Sequence, residues 1–230
     1  ENSKVQYLFT MGKGGVGKTT VATQLATTLS NKGYRVLLAT TDPTKEINVE
    51  TTSNLNTAYI DEEQALEKYK KEVLATVNDD TPQDDIDYIM EDLKSPCTEE
   101  IAFFKAFSDI MENQDDMDYV IVDTAPTGHT LLLLDSSENH HRELKKKSTQ
   151  TTSNVETLLP KIQNKNLTQM IIVTLAEKTP YLESKRLVED LNRANIGHNW
   201  WVVNQSLVTL NQRDDLFSNK KEDESFWINK

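Results

Sequence analysis

The chain has 230 residues, with 37 acidic against 25 basic side chains and a formal net charge of -12. That length suits one α/β domain with room for an inserted helical lobe, and the charge argues against nonspecific nucleic-acid binding, which needs lysines and arginines to displace counterions. Cys97 is the single cysteine, which excludes an internal disulfide framework and a four-cysteine zinc site built from one chain.

No apolar run approaches the roughly 18 residues of a membrane span, and Glu1-Asn2-Ser3-Lys4 does not read as a signal peptide. The expectation is a cytoplasmic protein. The chain starts without methionine, which fits a fragment or processed form.

In chain order, the apolar run Tyr7-Leu8-Phe9 leads into Gly12-Lys13-Gly14-Gly15-Val16-Gly17-Lys18-Thr19-Thr20. A helical pattern follows at Val21, Leu25, Ala26 and Leu29. Strand, glycine-rich loop and helix together make the phosphate-binding P-loop. Its glycines let successive backbone N–H groups turn toward the β- and γ-phosphates, and the helix N-terminus adds its dipole. Lys18 then neutralises phosphate charge and Thr19 holds Mg²⁺. Nucleotide binding is accordingly expected at Gly12, Lys13, Gly14, Gly15, Val16, Gly17, Lys18, Thr19 and Thr20.

Lys13 is an additional lysine near the start of this loop. In that respect the loop resembles the deviant P-loop of a family of dimeric ATPases that includes nitrogenase iron protein, septum-positioning and partition ATPases, and the arsenite-pump ATPases. The resemblance implies that ATP is the nucleotide, and that Lys13 reaches the nucleotide of a second subunit or homologous half.

Asn31-Lys32-Gly33 ends the first helix, and Arg35 to Thr40 reads as a buried strand of a parallel sheet running into Thr41-Asp42-Pro43. Ligands of open α/β sheets collect at the C-terminal ends of strands. By resemblance Asp42 lies in a switch region and orients the attacking water; by local sequence alone it is a helix N-cap before proline. Residues 44–60 are polar and weakly patterned, and read as a loop or switch segment.

Residues 61–112 read as helical: Ala65, Leu66, Tyr69 and Val73 at helical spacing, then Ile86, Ile89, Met90 and Leu93, then Ile101, Phe104, Phe107 and Ile110 after Pro96. The acidic stretch from Asn78 to Asp87 reads as a solvated turn. The expected architecture is a three-layer α/β P-loop fold, one domain over 1–230, with a mainly parallel sheet flanked by helices and a helical insertion at about 61–112. By resemblance that insertion recognises effector or cargo.

Asp118 to Val122 is a further strand, followed by Asp123-Thr124-Ala125-Pro126-Thr127-Gly128-His129-Thr130. This octapeptide resembles the signal-transduction motif of arsenite-pump ATPases and of their relatives that target tail-anchored proteins. An apolar strand ending in aspartate brings a carboxylate to Mg²⁺ through water, so Asp123 is the second Mg²⁺ residue, and the loop behind it can respond to loss of the γ-phosphate. His129 reads equally as a structural hydrogen-bonding residue.

His140-His141 is not read as a metal pair, since neighbours on a helix point about 100° apart and no second ligand pair has suitable spacing. Residues 148–154 read as a polar linker, and Val155 to Ile162 as a short helix. Thr168 to Thr174 is a strand. A helix follows from Pro180, with Leu182, Leu187 and Leu191 on one face and Asn195 and Gly197 at its end. Trp200 to Gln205 is a strand ending in amides. One carboxamide offers the donor and acceptor that an adenine edge asks for, and the resemblance assigns this role to Asn204; a turn-capping asparagine is the other reading. Glu224 to Lys230 reads as a helical tail.

The segment Ser95-Pro96-Cys97-Thr98-Glu99-Glu100 is similar to the one that supplies a metalloid-binding cysteine in arsenite-pump ATPases, and Thr174–Pro180 with Trp200–Leu207 fits the second of their two homologous halves. The resemblance implies an ATP-hydrolysing motor for arsenite or antimonite efflux, activated by trivalent arsenic or antimony at Cys97. It also implies partnership with a homologous half or subunit, a membrane arsenite permease and a metallochaperone, with membrane association only through a partner. An ordinary buried cysteine remains the other reading of Cys97.

The alternative function is an ATPase chaperone for tail-anchored proteins. That role asks for an exposed Met- and Leu-rich groove, whereas 78–94 is acidic. A membrane-bound spatial switch would want a basic amphipathic tail, which 218–230 does not supply.

Overall fold

The computed structural model describes residues 5–40, 53–78, 81–112, 114, 116–123, 160–209 and 215–230. Asp42, the motif from Thr124 to Thr130 with His129, the histidines at 140 and 141, the linker at 148–154 and the apolar positions at 155, 158 and 159 lie outside the described residues.

In chain order the elements are β1 (Tyr7–Met11), α1 (Lys18–Asn31), β2 (Val36–Thr40), β3 (Leu55–Tyr59), α2 (Glu62–Leu74), α3 (Gln83–Asp92), α4 (Pro96–Glu112), β4 (Tyr119–Asp123), β5 (Thr168–Leu175), α5 (Lys178–Arg193), β6 (Trp200–Asn204) and α6 (Asp215–Ile228). The strands form one sheet in the order β3-β2-β4-β1-β5-β6, and every pairing is parallel. A parallel sheet must be covered on both faces, so its inner strands read as continuous apolar runs. β1 and β2 are buried throughout.

Alternation along the strands sorts the core into two layers. Tyr7, Phe9 and Met11 of β1 join Val120 and Val122 of β4, Met170 and Ile172 of β5, Phe107 of α4, and Leu187 and Leu191 of α5. Leu8, Val36, Leu38, Ile121, Ile171 and Val173 form the other layer with Ala22 and Ala26 of α1. Phe9 and Phe107 meet edge to face with ring centroids 5.2 Å apart, which fixes α4 against the centre of the sheet. The α/β class and the sandwiching of a parallel sheet between helices agree with the expectation from sequence.

Local chemistry explains where the helices stop. Gly33 adopts φ 89° after α1; its N–H donates to the Ser30 carbonyl at 2.9 Å, and Tyr34 N–H donates to the Leu29 carbonyl at 3.2 Å. This is a Schellman closure. α5 ends the same way with Asn195 at φ 55°, Asn195 N–H on Asn192 O and Ile196 N–H on Leu191 O. At the start of α2, the Asp61 carboxylate accepts from Gln64 N–H at 3.0 Å, a side-chain N-cap.

Four expectations need correction. Residues 55–59 form β3, a parallel edge strand paired to β2 from Val36↔Leu55 to Thr40↔Tyr59, where a loop is expected. Only Leu55 of that strand is buried, so its sequence lacks the apolar run that marks the inner strands. The acidic stretch is not a turn throughout, because α3 starts at Gln83 after Pro82. Leu182 is exposed; the inward face of α5 consists of Pro180, Ser184, Leu187 and Leu191. The tail helix also reaches back to Asp215.

Candidate functional site

The loop after β1 closes onto the first turn of α1 through Gly17, which takes the left-handed conformation at φ 91°, ψ 31° as the N-cap, with no side chain capping the helix. Two of its glycines are dictated by neighbours. A Cβ on Gly12 would overlap the Val173 carbonyl oxygen of β5, and one on Gly17 would overlap the Asn204 side-chain amide of β6. Both also sit at positive φ, which L side chains rarely adopt. The loop is thus seated against the C-terminal ends of β5 and β6.

Within it Val16 is buried and packs into the α1 layer of the core, while Lys13, Gly14 and Gly15 are exposed. Lys18 Nζ donates back across the loop to the Lys13 carbonyl oxygen at 3.2 Å. Lys18 and Thr19 are half-buried in the first turn of α1, and Thr20 is exposed. Backbone N–H groups at such a helix start, with an ammonium over the loop, form an arrangement suited to a polyphosphate.

Asp123 ends β4 and is buried. Register explains its surroundings: Thr10 of β1 and Thr40 of β2 are both paired with Asp123. Their hydroxyls lie 3.4 Å from Oδ1 and 3.5 Å from Oδ2, at the long end of hydrogen bonding. Strand alternation puts Asp123 on the same face as Ile121, which packs with α1, so the carboxylate emerges on the side of the sheet from which Thr19 rises. Carboxylate and hydroxyl oxygens are the hard donors that Mg²⁺ prefers. Thr10 and Thr40 escape sequence reasoning because their role depends on register; the available signal is a polar residue closing an otherwise apolar strand.

Asn204, last residue of β6, donates from Nδ2 to the Val16 carbonyl oxygen at 2.9 Å, and its Oδ1 accepts from Gln205 N–H at 2.9 Å. The base-reading candidate is therefore also a brace for the loop. The turn-capping reading of this residue has its counterpart in the Gln205 contact, and the carboxamide still carries one N–H and one lone pair.

Cys97 falls in the first turn of α4, and its side chain lies outside the described residues. Next to it, Thr98 donates its hydroxyl to the Asp92 carbonyl oxygen at 2.6 Å and ties α4 to the end of α3. Across α2 and α4, Lys68 pairs with Asp109 at 3.1 Å and Lys105 pairs with Glu72. Among the described residues no group of three His, Cys, Asp or Glu side chains could hold a metal ion, and no helix is long and apolar enough to cross a membrane.

Comparison with known proteins agrees with this geometry. The chain matches the family described as anion-transporting ATPase over residues 5–161 and 137–230. It is 40% identical over 218 residues to an arsenical pump-driving ATPase of Escherichia coli and equally so to one of Acidiphilium multivorum, the alignment covering 93% of this chain and 37% of each of those proteins. It is 27% identical over 257 residues to the ATPase GET3 of Komagataella phaffii, covering 90% of this chain and 75% of that protein. The chain spans just over a third of the length of the arsenical pump-driving ATPases it matches. Loop, braces, strand-end carboxylate and family match converge, and the chain belongs to the anion-transporting ATPase family.

Proposed function

We propose that this chain is an ATP-hydrolysing unit of an arsenite or antimonite efflux system, activated by trivalent metalloid. The observation that carries the ATPase part is the loop at 12–17, which enters α1 through left-handed Gly17 with the Lys18 ammonium turned across it. Water attacks the γ-phosphate in line. Lys18 exchanges the Lys13 carbonyl for phosphate oxygens and stabilises charge in the transition state, and Asp42 orients the water. Mg²⁺, held by Thr19 and through water by Asp123, would neutralise charge on the β- and γ-phosphates.

Lys13 is exposed on the loop, which supports a role across an interface to a homologous half or second subunit. Coverage of 37% of the E. coli relative fits such a two-part arrangement. A membrane permease for the metalloid and a metallochaperone delivering it are the further partners, with membrane association through the permease. The setting is cytoplasmic.

Trivalent arsenic and antimony are soft and favour thiolates. One thiolate makes a weak site, so Cys97 is completed by cysteines of the facing half, drawing the α2–α4 lobes together; residues 124–130 after Asp123 then carry closure to the phosphates. The test is ATP turnover by the complete protein against arsenite or antimonite, for parent and Cys97→Ser. Stimulation that disappears in the variant supports the reading. Equal stimulation in both, or none in the parent, rejects metalloid activation.

A second reading has one observation in its favour. α3 buries none of its residues and exposes Tyr88 and Met90, a surface that could meet an apolar helix of a tail-anchored protein. Asp84, Asp85, Asp87, Glu91 and Asp92 on the same short helix weigh against it.

A further inference from the structure

A nucleotide base is recognised only if the carboxamide that reads it is held in one orientation. Asn204 has one Nδ2 proton on Val16 O and one Oδ1 lone pair on Gln205 N–H, leaving a donor and an acceptor in fixed order. Adenine presents an amino donor beside a ring acceptor, whereas guanine presents a carbonyl acceptor beside a ring N–H. A carboxamide free to rotate by half a turn serves either. Two contacts fix it: the Val16 carbonyl at the Nδ2 end and, at the Oδ1 end, the turn after β6, where Gln205 sits at φ 55°, a left-handed conformation that glutamine does not favour unaided.

That turn is held from a distant helix. Glu224 of α6 is only 4% exposed, and its Oε2 accepts from the Ser206 hydroxyl at 3.0 Å and from Leu207 N–H at 2.7 Å. Ser206 Oγ in turn accepts from Val208 N–H at 3.2 Å, and Lys220 Nζ stands 3.9 Å from Glu224 Oε1. α6 is docked by Trp227 against Tyr181 of α5, ring centroids 5.6 Å apart. A buried carboxylate receiving a backbone N–H makes a charge-assisted bond, stronger than the hydroxyl or amide contacts usual in turns.

We propose that Glu224 is a positioning residue for base recognition: through the 205–208 turn it orients the Asn204 carboxamide, and so sets both the preference for adenine over guanine and the seating of the phosphate loop. The inference rests on the nucleotide reading of the loop above. Asn204 hydrogen-bonds to the loop and Glu224 to the turn that follows Asn204, so the inference routes the effect of Glu224 on nucleotide binding through Asn204.

The experiment is calorimetric titration of ATP and GTP, each with Mg²⁺, into the parent chain, Glu224→Ala, Ser206→Ala, Asn204→Ala and the pairwise combinations with Asn204→Ala, with thermal unfolding of each followed in parallel. The expected result is a loss of ATP affinity of roughly ten-fold in Glu224→Ala, a smaller loss in Ser206→Ala, and an ATP-to-GTP ratio moving toward one in both. Combined with Asn204→Ala, neither substitution weakens binding further. Additive losses, or an unchanged ATP-to-GTP ratio in folded Glu224→Ala, overturn the inference; Ser206→Ala decides in the same way if Glu224→Ala does not fold. A parent that binds no ATP removes the nucleotide reading and this inference together, while a parent that binds ATP with additive variants removes only this one.

Discussion

The Asn204 side chain donates to the Val16 carbonyl oxygen at 2.9 Å, joining the last residue of β6 to the phosphate loop 188 positions earlier in the chain. The contact requires Gly17 beside it, because a Cβ there would occupy the place of the Asn204 amide.

Gly17→Ala should therefore act twice, by displacing Asn204 and by forcing alanine into a left-handed N-cap at φ 91°. The strain of that conformation is about 1–2 kcal/mol, so the fold should survive while the loop loses its seat. ATP affinity is expected to fall by about 100-fold or more, with a drop of a few degrees in Tm. Titration of nucleotide alongside thermal unfolding checks this; parental affinity in the variant would show that the loop tolerates a different seat.

Lys13 offers a test of the two-site arrangement. Its side chain is exposed, and its backbone carbonyl, which receives Lys18, is retained in any substitution. Lys13→Ala should bind ATP as the parent does, yet lose turnover by about 100-fold in the complete protein, on the scale expected for a transition-state cation. Parental turnover in Lys13→Ala, or full turnover in a sample shown by sedimentation to hold one nucleotide site per particle, argues against catalysis across an interface.

The helical lobe carries its own pH signature. Tyr69 of α2 is pushed up to about 12 from 10.0, chiefly by burial, with Asp92 and Glu72 adding to the shift. A raised folded value means that the proton is held more tightly in the native state. The resulting stability is fully present below pH 10 and is lost as pH rises to about 12, a change of about 2 to 3 kcal/mol. Lys68 is raised in the same sense by its hydrogen bond to Asp109, but it is exposed and its contribution is screened. Denaturant midpoints measured across that window should fall in the parent and fall less in Tyr69→Phe; parallel curves would contradict the assignment.

What the sequence could and could not reveal follows from where each signal resides. The phosphate loop is contiguous, so its glycines, Lys18 and the flanking strand and helix can be read together. Buried strands such as β2 and β5 announce themselves by unbroken apolar runs. β3 does not, because an edge strand covered on one side keeps Asn56 and Thr57 exposed and resembles a loop. In α5 helical spacing fits both a 182/187/191 and a 180/184/187/191 stripe, and only packing against the sheet chooses the second. The clasp of Asp123 by Thr10 and Thr40, and the brace of Val16 by Asn204, depend on register between strands distant in sequence, which periodicity does not encode.

Nucleotide hydrolysis at the loop from Gly12 to Thr20 is tested most directly at Lys18. Steady-state ATP hydrolysis should be measured in the complete protein with and without Mg²⁺, for parent and Lys18→Ala, with unfolding curves confirming that both are folded. Mg²⁺-dependent turnover in the parent with a fall in kcat/KM of about 100-fold or more in the variant is the predicted result; a folded Lys18→Ala that hydrolyses ATP at the parental rate would contradict it.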